Sequence, residues 1–135
     1  MRLYTSSYDF AGHLPKAVSI SGWPPDGWDK KHCLKLAPKK WIYDNYTVNS
    51  DPVLYAMYYG LEVLSKRDPN TLAKWLGDEA ILCCYEPPGQ FCHRKLVREW
   101  FNYHGIKCTE LCMTEKLLIE KHGFVNLEGF IGPDD

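Results

Sequence analysis

The run Ala80-Ile81-Leu82-Cys83-Cys84, with the loop and helical pattern after it, constrains this chain more than any other feature. It is continuously apolar, as befits a strand buried on both faces of a parallel sheet. A Pro/Gly loop comes next. Phe91 to His104 then carries a helical pattern ended by Gly105, and Ile106 to Leu111 reads as another strand. Strand, helix and strand in this order predict a parallel crossover. Leu3 to Tyr8 and Ala17 to Ile20 are two further strand candidates. The expected fold is therefore α/β, a three-layer domain with a mostly parallel sheet of about four or five strands flanked by helices. At 135 residues one domain, 1–135, suffices.

The middle of the chain supplies helices. Ser50-Asp51-Pro52 is a helix start, with an N-cap side chain and proline in the first turn. Val53, Met57, Leu61 and Leu64 then recur at helical spacing, predicting one buried stripe on a helix that ends near Arg67. Asp68-Pro69 opens a shorter helix through Leu76, stopped at Gly77. Trp28 to Tyr46 reads as loop with short helical pieces. Thr114 to His122 reads as a last helix, with an irregular tail from Phe124.

A formal net charge of -1 argues against a general binder of nucleic acid or of membrane surfaces. No apolar run reaches membrane-spanning length. The six cysteines, at 33, 83, 84, 92, 108 and 112, come after no leader-like segment, and three lie in strand patterns. Reduced thiols and a cytoplasmic location are expected. Most of the aromatic residues are expected to fill the core.

Chemistry concentrates between Cys84 and Arg94. Ligands of parallel sheets bind beyond the carboxyl ends of the strands. Ser6, Ser7, Ser21, Trp23, Cys84, Tyr85, Glu86 and Cys112 all fall at or just past those ends. Cys84 and Glu86, two apart, point to one side if the strand continues. Helix phase turns Cys92 and His93 inward and sets Arg94 at the edge of a stripe formed by Leu96, Val97, Trp100 and Phe101. Cys84, Glu86, Arg94, His93 and Cys92 are the candidate catalytic residues.

One reading is a pocket for a small anionic ligand, nucleotide-like or a sugar phosphate. Arg94 and the helix start hold the anion, Glu86 is the acid–base group, and Cys84 is a nucleophile or a polar wall. Ser6, Ser7, Ser21, Trp23 and Tyr85 line the ligand's other end. A non-enzymatic binding or sequestering module fits the same residues, as does an Arg94–Glu86 pair that simply locks the loop. No cofactor is named by the sequence. Metal is not asked for by spacing, since Cys-x-x-Cys and His-x-x-x-His are missing, yet Cys84, Glu86, Cys92 and His93 have the softness for zinc or iron. The Arg-terminated phosphatase loop, the Walker loop and the dinucleotide turn are also missing.

The combination Cys84-Tyr85-Glu86-Pro87 with Phe91-Cys92-His93-Arg94 resembles the signature of the family catalogued as domain of unknown function 488. Tyr4-Thr5-Ser6-Ser7-Tyr8 resembles its first strand. Leu36-Ala37-Pro38, Tyr55 to Tyr59 and Val63-Leu64 resemble the middle of its short members, and Trp100 through Gly105-Ile106 resembles the helix and turn after the signature. Where the wider family carries Asp-Val-Arg after the second strand, this chain has Ser19-Ile20-Ser21, as the short members do. The resemblance implies an α/β domain with a shared site, lacking one acid and one base, and implies no particular reaction.

Overall fold

The computed structural model describes residues 1–86 and 91–111. The elements run β1 (Arg2–Ser7), α1 (Tyr8–Ala11), β2 (Ala17–Ser19), α2 (Lys40–Asn49), α3 (Pro52–Glu62), α4 (Pro69–Leu76), β3 (Ile81–Cys84), α5 (His93–Tyr103) and β4 (Lys107–Glu110). Short 3-10 turns at Leu34–Leu36 and Leu64–Lys66 lie between them. The expected helix at Thr114–His122, the strand end at Cys112 and the loop 87–90 lie outside the described residues.

The four strands form one parallel sheet in the order β2-β3-β1-β4. Its two faces bury different sets of side chains. Leu3, Val18, Ile20, Leu82, Cys84 and Cys108 pack against residues of α2 to α5 in the larger core. Tyr4, Ala17, Ile81, Cys83 and Leu111 pack with Ala11 and Leu14 on the opposite face. This alternation is the two-residue period of a pleated strand. The step from β1 to β2 moves one way along the sheet over the α1 face. The next two steps move back over the other face. Opposite directions over opposite faces keep a single crossover hand. β1 and β3 are neighbours whose continuing chains leave toward opposite faces, so the crevice expected of such sheets opens where Ser7 pairs with Cys84.

Three sequence expectations are corrected. The stretch read as loop between Trp28 and Tyr46 contains most of α2, a ten-residue helix. The buried stripe of α3 is not Val53-Met57-Leu61, which are 77%, 50% and 61% exposed. Tyr55 and Tyr59 face the core instead, with Val63 just beyond the helix. Both faces of this helix are apolar, and the tyrosine face wins for two reasons. Its rings pack on Tyr46, Phe91 and His93, and the Tyr59 hydroxyl donates to the buried carbonyl of Leu36. The stripe of α5 is also rotated: Arg94 and Arg98 are buried with Val97 and Phe101, while Leu96 and Trp100 are partly exposed. A carboxylate on β4 is the reason.

Candidate functional site

The site grows from the end of β3 and the start of α5. Cys92 is the N-cap of α5, its sulfur accepting from the Arg94 backbone N–H at 3.2 Å. Ser, Thr, Asp or Asn usually take that position because their oxygen accepts the free N–H of the first turn. Here a sulfur does so. The cap turns it toward β3, where Cys84 Sγ lies 2.7 Å away. Both sulfurs are buried, at 1% and 6% residue exposure for Cys84 and Cys92.

His93 is buried beside them, and its Nε2 lies 2.8 Å from the Ile20 carbonyl. A carbonyl oxygen only accepts, so Nε2 carries the proton and Nδ1 is left to the interior. The Tyr59 ring stacks edge-on against the imidazole at 5.7 Å. Tyr46, Tyr55 and Phe91 form an apolar wall by mutual ring contacts. One donor atom each from Cys84, Cys92 and His93 falls within 4.8 Å of the other two.

Arg94 points inward, not over the loop. Its Nη1 donates to Cys84 Sγ at 2.9 Å and to the Glu86 carbonyl at 2.7 Å. Nε and Nη2 donate to the two oxygens of Glu110 at 3.0 and 2.9 Å. Glu110 also accepts from Thr5 Oγ1 at 2.6 Å, and Arg98 Nη1 stands 4.0 Å away. The anion that Arg94 meets is therefore Glu110, and it touches Glu86 through the backbone. The Glu86 carboxylate instead lies 3.4 Å from Cys84 Sγ.

Burial and charge divide the titrating groups. Burial pushes the Cys84 thiol far up, reinforced by Cys92. Burial also opposes ionisation of Cys92, but its hydrogen bonding with Cys84, the neighbouring His93 and the Arg94 charge outweigh it, holding that thiol well below its usual range. Burial raises the Glu110 carboxyl against the pull of Arg94 and Thr5. Cys83, on the other face of the sheet, is pushed up to about 12 by burial and is an ordinary core thiol.

The remaining candidates separate. Ser7 caps α1 by accepting from Phe10 N–H. Ser6 lies on the opposite face, its hydroxyl donating to the Leu111 carbonyl at 3.3 Å. Ser21 and Ser19 both hydrogen-bond the Tyr8 hydroxyl, at 2.8 and 2.7 Å. Tyr85 is exposed, packs edge-on to Tyr8 and donates to the carbonyl of the largely exposed Trp23. So the sulfur cluster and the serine–tyrosine group sit at one sheet edge but on different faces. Glu110, Thr5 and Arg98 escaped the sequence reading. A single acid at an inward position of an apolar strand, opposite Arg94 and Arg98 four apart on one helix, was the available signal.

Comparison with protein-family models, with curated proteins and with solved structures finds no match for this chain.

Proposed function

We propose that this chain is a metal-binding α/β protein whose Cys84, Cys92 and His93 hold one zinc or ferrous ion at the strand ends. The carrying observation is the convergence of three buried soft donors within 4.8 Å. Thiolate and imidazole suit these ions, and three protein ligands leave a fourth position for water or substrate. The hydrogen bond from His93 Nε2 to the Ile20 carbonyl supports the reading, because ligating histidines donate their second ring nitrogen to such a partner. Arg94 supplies positive charge and a hydrogen bond to Cys84. Glu86 gives the site an acid–base group at its half-buried rim. In this reading the small anionic ligand expected from the sequence meets the metal at its fourth position, because Glu110 occupies Arg94. The family placement beside domain of unknown function 488 is part of the same proposal and rests on the Cys-x-Glu and Cys-His-Arg residues.

The test is metal analysis of the full chain purified without a metal-binding tag. One zinc or iron per chain is expected, and Cys92→Ser should abolish it. Cobalt(II) should give thiolate charge-transfer bands in the near ultraviolet, and inorganic phosphate should perturb its visible bands. A wild-type chain that folds but takes up neither zinc, iron nor cobalt sinks the proposal.

A further inference from the structure

The sulfurs of Cys84 and Cys92 stand 2.7 Å apart, well inside the contact distance of unbonded sulfurs. A disulfide needs about 2.05 Å, a further approach of roughly 0.65 Å. Two sulfurs on a tetrahedral zinc, each at about 2.3 Å from it, lie about 3.8 Å apart, an opening of roughly 1 Å. The pair therefore lies between the two arrangements, nearer the covalent one. It joins a strand end to a helix cap, so either movement is a small shift of α5 against β3. Cys84 and Cys92 are buried free thiols, and Cys83 points to the other face of the sheet. Cys84 and Cys92 are thus a pair in direct sulfur contact on one face.

We propose that Cys84 and Cys92 form a redox pair which a hydroperoxide closes to a disulfide, dismantling the site that the same sulfurs build for metal. The second half rests on the metal reading above; the first does not. Burial of both sulfurs selects a small oxidant over a bulky disulfide. Cys92, the less buried, is attacked first. Its sulfur takes one oxygen of hydrogen peroxide: an S–O bond forms, the O–O bond breaks, and the departing hydroxide becomes water with the proton that the Cys92 thiol has given up. The Cys84 sulfur then displaces that oxygen: an S–S bond forms, the S–O bond breaks, and the second thiol proton leaves in a second water. Two thiols are oxidised by two electrons and one peroxide is reduced to two waters.

The experiment uses the full chain, reduced and stripped of metal, treated with one equivalent of hydrogen peroxide. Expected are a mass lower by two hydrogens and a linked peptide pair containing Cys84 and Cys92. Cys84→Ser should accumulate instead a sulfenic acid at Cys92, trapped by a dione reagent. Cys83→Ala should oxidise like wild type. Absence of the linked pair in wild type, or links scattered over other cysteines, overturns the redox proposal. Zinc titration separates the two readings. If the reduced chain binds no zinc yet forms the link, the metal reading fails and the redox pair stands. If the reduced chain binds zinc and peroxide forms no link, the redox pair fails alone. Where both hold, the oxidised chain should bind zinc at least a hundredfold more weakly, with dithiothreitol restoring it; equal binding overturns the dismantling.

Discussion

Arg94 and Glu110 meet as a two-bond pair inside the protein, with both side chains 3% exposed. Breaking such a pair from one side leaves an uncompensated buried charge. Arg94→Ala or Glu110→Ala should therefore lower unfolding free energy by about 3–5 kcal/mol. Replacing both with apolar residues, Arg94→Met with Glu110→Leu, should cost less than either single change. Urea unfolding of the three variants checks this, and a double variant weaker than both singles overturns it. Arg94→Lys should not restore the wild type, because an ammonium cannot span two carboxylate oxygens and a sulfur.

Stripped of metal, Cys92→Ser should fold with stability within about 1 kcal/mol of wild type, because serine is a favoured N-cap and accepts the same Arg94 N–H. Circular dichroism and thermal melting provide the check. A large loss of helix would mean the sulfur supports the fold beyond its cap, and its metal and redox tests would then have to be read on Cys84→Ser.

The two apolar faces of α3 should respond differently. Met57→Lys and Leu61→Glu, on the exposed face, should change stability by less than about 0.5 kcal/mol. Tyr59→Phe should cost about 1–3 kcal/mol, since it leaves the buried Leu36 carbonyl without its donor. Chemical denaturation of each variant decides; equal losses on both faces would contradict the assigned orientation.

Asp68 caps α4 by accepting from the Thr71 N–H at 2.8 Å and from the Thr71 hydroxyl. Those two bonds lower its pKa below the ordinary 3.8. A carboxylate depressed by folding stabilises above its unfolded pKa, and that stability is lost as pH falls through the folded value. The advantage of wild type over Asp68→Asn should accordingly shrink between about pH 5 and pH 2. Melting temperatures of the two proteins across that window test the sign; a difference that grows on acidification refutes it.

Periodicity and caps carry far in this sequence. The buried run before Cys84, the Asp51-Pro52 and Asp68-Pro69 helix starts, and the inward phase of Cys92 and His93 are all local patterns, and each appears in the structure. What failed needed partners distant in the chain. Nothing near Arg94 tells that Glu110, sixteen residues on, will draw it inward. Nothing near Val53 tells which apolar face of α3 meets Phe91. The metal donors were within eleven residues of each other, but Cys84 and Cys92 flank a loop instead of a short chelating turn, so their spacing carries no motif.

The placement of Glu110 on the last described strand also gives the site a timetable. Arg94 leaves the ribosome well before Glu110, and until β4 docks beside β1 the guanidinium has no carboxylate to enter the core with. The same guanidinium spans Cys84 and Glu110, so the docking of β4 reaches the sulfur site through Arg94. One sulfur of the pair is therefore wired, through a single guanidinium, to a carboxylate on a strand beyond the helix: a chain in which β4 has not docked leaves Arg94 beside Cys84 without Glu110.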